Sequence, residues 1–131
     1  MTIHQSHTLK TPGTYIDGFL LPVPKARLED YRKIAEQAGA IWLEHGALQY
    51  TECAIDDLGA EFCRSFVETA AAKEDETVIF AWAVFADRTA RDAANAAIMA
   101  DERLAGLCGE SGQIFDSKRM SFGGFKTIVS H

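Results

Sequence analysis

The sequence predicts an α+β fold in which a four-stranded antiparallel sheet carries two long helices on one face. Two long segments, 25–44 and 88–107, have sequences typical of surface helices. In the first, apolar residues recur at three- and four-residue steps, while the second is alanine-rich. Shorter apolar runs typical of strands flank both segments. With 131 residues, 47% of them apolar and 24% charged, the chain has the composition of one globular domain.

The main elements are predicted in the order β-α-β-β-α-β, which is the ferredoxin-like arrangement. Pro22 and Pro24 end the first strand because proline donates no ladder hydrogen bond. Asp87 is a suitable N-cap for the second long helix. Gly123 and Gly124 in the last strand indicate a bulge or a close backbone approach. The predicted elements are strand Tyr15–Val23, helix Lys25–Glu44, strand Ala47–Ile55, a short helix Ala60–Ala71, strand Thr77–Ala86, helix Arg88–Leu107 and strand Met120–Val129.

The third strand, Thr77–Ala86, is apolar on both of its faces. A strand of this kind is buried on both sides, and the helices can cover only one of them. We therefore expect a homodimer in which two sheets pack face to face. Residues 1–14 show no periodicity and are predicted to be a flexible extension, which leaves residues 15–131 as the single domain.

Charge and cysteine content restrict the partners and the compartment. The net charge of −6 argues against nucleic acid and anionic membrane as partners, because both require a basic surface. The sequence has no run of apolar residues long enough for a membrane helix and no signal-peptide pattern. Three cysteines without metal-ligand spacing predict free thiols, no structural metal and a cytoplasmic protein. No cofactor-binding motif is present, and we expect no cofactor.

Several short segments of the sequence resemble the YbaA-like family of small bacterial proteins of unknown function. They are YIDGF at 15–19, WLEHGAL at 42–48, AKEDETV at 72–78, NAAIM at 95–99, DERL at 101–104 and FDSKRMSFGGF at 115–125. The resemblance implies membership of the dimeric α/β-barrel proteins, whose relatives include cofactor-free monooxygenases of antibiotic biosynthesis. It agrees with the predicted dimer and implies no particular activity, because one fold hosts many functions.

Three polar residues are candidate ligand contacts because they fall at positions expected to be apolar. Asp17 lies in a central strand, where it is an acid or base facing a ligand, the partner of a cation such as Lys126, or a partly exposed carboxylate. Asn95 lies on the buried row of the second helix and either faces a cavity or bonds the backbone. His45 follows the first helix, as a catalytic base or as a residue bonded to the last carbonyls.

The remaining candidates are Arg119, Trp42 and Trp82. Arg119 precedes the last strand and either binds an anion or forms an ion pair with an acidic neighbour. The two tryptophans, together with Tyr50, either line an apolar pocket or belong to the core and the dimer interface. We expect any ligand to lie between the sheet and the second helix, in contact with Asp17 and Asn95.

Two functions from different classes fit these residues. The first is a dimeric module that binds a small molecule or acts without catalysis. The alternative is a cofactor-independent enzyme, monooxygenase-like or isomerase-like, acting on a small organic substrate. The sequence leaves open whether the protein is an enzyme, and an enclosed pocket lined by the candidate residues would favour a ligand.

Overall fold

The structure, a computed structural model, describes residues 14–131. The elements are β1 (Tyr15–Pro24), α1 (Leu28–Glu44), β2 (Gln49–Ala54), α2 (Phe66–Thr69), β3 (Glu76–Phe85), α3 (Arg88–Met99), α4 (Glu102–Ser111) and β4 (Ser121–Lys126). Helices α1, α3 and α4 are the longer ones, and α2 is a single turn. Two 3₁₀ turns, Lys25–Arg27 and Ser117–Arg119, precede α1 and β4.

The four strands form one antiparallel sheet in the order β2-β3-β1-β4. In β1 the odd-numbered residues from Tyr15 to Val23 point toward the longer helices, and in β3 the residues from Ile79 to Phe85 at odd positions do the same. This side of the sheet is the helix face, and the other side is the open face. The predicted α+β fold, with its long helices on one side of an antiparallel sheet, is confirmed.

The buried core on the helix face is divided into two clusters. One joins Phe85 and Ala83 of β3 to Ile98 and Ala94 of α3 and to Leu104 of α4. The other joins the far half of β1 to α1 and to the loop before β4; its buried members are Leu21, Val23, Tyr31, Ile79, Ala81 and Ile114. Phe85 and Val23 are fully buried, so the central strands are anchored at both ends.

Large aromatic side chains lie on the open face. Phe80 of β3 is 46% exposed, and its ring lies 5.5 Å from that of Trp82 and 5.8 Å from that of Phe66 in α2. Phe125 of β4 is 62% exposed and lies over Gly18, where an added Cβ would come within 3.3 Å of its ring. We call these four side chains the aromatic patch of the open face.

The second long helix is the main difference from the predicted elements. It was predicted to run unbroken through residues 88–107, but α3 ends at Met99 and α4 begins at Glu102. Asp101 causes the break, because its carboxylate accepts the Arg103 N–H and caps a new helix. Met99, the last residue of α3, is 75% exposed. The alanine-rich sequence hid the boundary, since alanine favours helix on either side of it.

Three further boundaries differ from the prediction. The helix predicted over residues 60–71 is reduced to α2, which Ser65 caps by accepting the Val67 N–H. Helix α4 extends to Ser111, into the segment predicted as a loop, and β4 stops at Lys126 rather than at Val129.

The predicted extension, residues 1–14, lies outside the described residues except for Thr14. That residue is buried, and its carbonyl accepts the Thr127 N–H. Within residues 14–131, no helix is long and apolar enough to cross a membrane.

Candidate functional site

A cavity of about 170 Å³ lies on the helix face, between the sheet and helices α1 and α4. Most of its walls are apolar. Phe19 and Leu21 come from β1, Ala38 and Trp42 from α1, and Leu107 from α4. A volume of this size is comparable to that of an engineered protein cavity that binds benzene, so one aromatic ring fits.

Glu52 of β2 is the acidic residue in the cavity wall, and two tyrosines hold it. Its Oε1 accepts a hydrogen bond from the hydroxyl of Tyr31 in α1, and its Oε2 accepts one from the hydroxyl of Tyr50 at 2.5 Å. The alternation of β2 turns Tyr50 and Glu52 to the same side, opposite Ala83 and Ala81 of β3. The carboxylate is thus fixed in position with both of its oxygens engaged.

The two tyrosine hydroxyls remain protonated over a wide pH range. Burial is the main cause that raises the pKa of Tyr31 and of Tyr50, and the negative charge of Glu52 raises both further. The phenols therefore act as hydrogen-bond donors to Glu52.

Trp42 supplies a second polar atom near the cavity. Its ring packs 5.5 Å from that of Tyr50, and its Nε1 is buried without a hydrogen-bond partner in the described residues. An unpaired buried N–H is costly, so a ligand with an acceptor within reach of Nε1 would gain a hydrogen bond there.

Asp17 and Asn95 lie together as predicted, but outside the cavity wall. Asp17 is 1% exposed, and the single N–H at Nε of Arg91 donates to both of its carboxylate oxygens, at 2.9 and 3.2 Å. Asn95 adds a longer bond of 3.4 Å from Nδ2. The cation is Arg91 rather than the Lys126 named from the sequence. Lys126 is the register partner of Tyr15, which lies two residues before Asp17 in β1 and on the same face of the sheet.

A close backbone approach at Gly124 makes room for this ion pair. Gly124 lies opposite Asp17, and an added Cβ would come within 2.6 Å of Nη2 of Arg91 and of the Tyr15 hydroxyl. The register between β1 and β4 continues through Gly123 and Gly124 without interruption. Of the two features expected from the paired glycines, the structure thus shows the close approach.

His45 joins the end of α1 to the break between α3 and α4. Its Nε2 lies 2.8 Å from Oδ2 of Asp101. Arg103 also bonds this carboxylate, and it contacts Glu44 at 2.6 Å. Arg103 and then His45 hold the pKa of Asp101 well below its usual range. His45 is therefore part of an ion-paired joint between helices.

Arg119 and Trp82 also lie away from the cavity. The guanidinium of Arg119 binds both oxygens of Glu76, at 2.7 and 2.8 Å, and the carbonyl of Ala71. Arg119 lowers the pKa of Glu76 to about 2, and the Lys73 N–H contributes. Trp82 belongs to the aromatic patch of the open face. Of the six predicted contacts, Trp42 lines the cavity, as does Tyr50, which the sequence analysis named beside the tryptophans; the other five contacts lie elsewhere.

Sequence reasoning missed Glu52 and Tyr31. The available signal was the spacing of Tyr50 and Glu52, two residues apart in a strand and so on one face. Among the described residues, no group of three or more His, Cys, Asp or Glu side chains is placed to hold a metal ion.

Comparison with known proteins identifies the family. A family model described as "Protein of unknown function (DUF1428)" matches residues 14–117. The chain belongs to the DUF1428 family. Uncharacterized protein YbaA of Escherichia coli K12 is 38% identical over 115 residues, covering 88% of this chain and 97% of YbaA. YbaA of Shigella flexneri matches to the same extent. This DUF1428 protein is therefore YbaA-like, as the short sequence segments indicated.

Two solved structures share the fold of this DUF1428 protein. SnoaB, a cofactor-independent oxygenase from Streptomyces nogalater that was crystallised in a mutant form, superposes with a TM-score of 0.58 at 14% identity, covering 90% of this chain and 96% of that one. NE2512, a protein of unknown function from Nitrosomonas europaea, gives a TM-score of 0.55 at 12% identity, covering 92% and 96%. These likenesses show the fold alone, an antiparallel sheet with its long helices on one side.

Proposed function

We propose that this protein binds a small organic molecule in the cavity between the sheet and helices α1 and α4. The observation that carries the proposal is the combination of apolar walls with one fixed carboxylate, Glu52, held by two tyrosine hydroxyls. Small-molecule sites typically combine mostly apolar walls with a few fixed polar groups. Trp42 lines the same cavity with its ring.

The test is ligand-induced thermal stabilisation, measured with a library of single-ring compounds. Ala38 lines the cavity, whereas Ala40 is an exposed residue of the same helix outside it. We expect hits to stabilise the wild type and Ala40→Leu but not Ala38→Leu, whose larger side chain fills the cavity. A ligand at 100 times its dissociation constant stabilises by about 2.7 kcal/mol. Hits that stabilise all three proteins equally would place binding elsewhere, and a library without hits would contradict the proposal.

The alternative function is a cofactor-independent enzyme with the same cavity as its active site. It is supported by the likeness in fold to SnoaB, which is described as a cofactor-independent oxygenase. The two functions are separated by incubating each thermal-shift hit with the protein in air. Turnover by an oxygenase predicts oxygen uptake and a product of greater mass, turnover by an isomerase predicts a product of equal mass with a different chromatographic retention, and either activity disappears in Ala38→Leu. Hits that remain unchanged through prolonged incubation support binding alone.

We further propose that the open face pairs with that of a second copy. The support is the dimeric α/β-barrel fold together with the aromatic patch, because large apolar surfaces of this kind mark interfaces. Light scattering on the native protein should give twice the chain mass of 14.4 kDa at micromolar concentration. Phe80→Glu should give the single-chain mass, and Met99→Glu, at a more exposed apolar site on the helix side, should leave the dimer intact. A monomeric wild type would refute the pairing.

The cytoplasm of a bacterium is the proposed location. The three cysteines, all exposed and free in the structure, suit a reducing compartment. The relatives from Escherichia coli and Shigella flexneri support a bacterial origin. The net charge of −6 supports a partner other than nucleic acid or an anionic membrane.

A further inference from the structure

Glu52 is part-buried, and it differs from three other shielded carboxylates in having no cationic partner. Asp17 contacts Arg91, Glu76 contacts Arg119, and Asp101 contacts Arg103. Across residues 14–131, no lysine, arginine or histidine forms an ion pair with Glu52, and none lines the cavity. A carboxylate removed from water is stabilised by an opposite charge, and here the protein supplies only two neutral phenols.

The geometry around Glu52 leaves space for such a charge. Each carboxylate oxygen accepts one phenol hydrogen bond, so each retains a lone pair for another donor. Aromatic rings surround the same space, and they come from four different parts of the chain: β1, α1, β2 and the loop before β4. Faces of such rings attract cations through their quadrupole. The five rings that line the cavity belong to Phe19, Tyr31, Trp42, Tyr50 and Phe115.

We infer that the ligand of this cavity is an organic amine, whose protonated nitrogen contacts Glu52 while a body of about one ring fills the apolar space. This inference rests on the proposed function and makes it specific. An anionic ligand would face the negative charge of Glu52 with no basic residue in the cavity wall to offset it. A neutral alcohol donates a hydrogen bond to the carboxylate but leaves its charge unpaired. The ammonium ion supplies both the donor and the charge.

The experiment compares three probes of nearly equal size at pH 7: benzylamine, benzyl alcohol and benzoate. Their dissociation constants are measured by calorimetric titration of the full chain. We expect benzylamine to bind about tenfold more tightly than benzyl alcohol, and benzoate to bind most weakly, because a charge-assisted hydrogen bond is stronger than a neutral one. Glu52→Gln keeps the side-chain shape and should abolish the difference between amine and alcohol. Glu74→Gln removes an exposed carboxylate outside the cavity and should preserve it.

The outcomes separate the two proposals. If benzyl alcohol binds as tightly as benzylamine, or benzoate binds best, the amine inference is overturned while binding in the cavity stands. The inference also fails if Glu52→Gln retains the preference for benzylamine. If none of the three probes and no library compound binds, the proposed function itself fails. The wild-type ranking decides the inference even if Glu52→Gln does not fold.

Discussion

The buried ion pair between Asp17 and Arg91 makes a quantitative prediction about stability. Replacing Arg91 by Met keeps the long stem of the side chain but leaves Asp17 at 1% exposure with only the 3.4 Å hydrogen bond from Asn95. Breaking a buried pair by removing one partner costs about 3–5 kcal/mol, because the other charge stays in the interior without compensation. The Arg91 side chain is itself 13% exposed, so water reaches the site in part, and we expect a loss near the lower limit, about 3 kcal/mol.

The double variant separates the value of the pair from the cost of breaking it. Asp17→Val suits a central strand, and combined with Arg91→Met it leaves no charge to compensate. We expect the double variant to recover most of the loss, to within about 1 kcal/mol of the wild type. Urea unfolding measures the wild type, the two single variants and the double variant at one fixed protein concentration, since the stability of a dimer depends on concentration.

Two results would refute this reasoning. The first is a loss below about 1 kcal/mol in Arg91→Met, which would mean that the site is well solvated. The second is a double variant as unstable as Arg91→Met alone, which would mean that other contacts of the guanidinium group, such as the one with the Tyr15 ring, carry the effect rather than the charge of Asp17.

The remaining predictions concern a helix, an acid titration and the thiols. Gly39→Ala should gain about 1 kcal/mol in helix propensity but lose more by overpacking, since the new Cβ would lie 2.8 Å from Cδ1 of Tyr50. Urea unfolding should show a net loss of stability of about 1 kcal/mol. Gly106→Ala, which has open space around the new Cβ, should be neutral or stabilising. Arg119→Gln should lower the free energy of unfolding by about 1–2 kcal/mol at pH 7. The difference from the wild type should shrink as the pH falls from about 4.5 to 2, because the lowered pKa of Glu76 gives stability that is present above its usual pKa and lost on protonation. A constant difference across that range would exclude the ion pair as the cause. Titration of the native protein with a thiol reagent should find three thiols per chain, with the cysteine on β2 the slowest because it lies on the proposed dimer face; three equal rates would count against that face.

The sequence was sufficient for the fold because local periodicity and element order carry most of that information. The strands, α1 and the placement of the long helices follow from the residues alone. The break at Asp101 does not, because alanines flank it and only the contact with His45 and Arg103 shows that the second helix restarts there.

The candidate site was less accessible to sequence reasoning. Glu52 lies in an edge strand, where a carboxylate ordinarily faces water, and its two partners come from β2 itself and from a helix 21 residues earlier. The partner of Asp17 was misassigned for a related reason. Alternation places Asp17 and Lys126 on the same face of the sheet, but only the strand register and the space at Gly124 select Arg91.

The break between α3 and α4 has a mechanical consequence for ligand entry. Helix α4 forms one wall of the cavity, through Leu104, Leu107 and Cys108, yet it is a separate ten-residue rod. The joint formed by Asp101 with His45 and Arg103 fastens that rod at one end. The other end of α4 runs into the loop whose Ile114 is buried in the core, so the rod is held at both ends and we expect a ligand to enter while α4 stays in place.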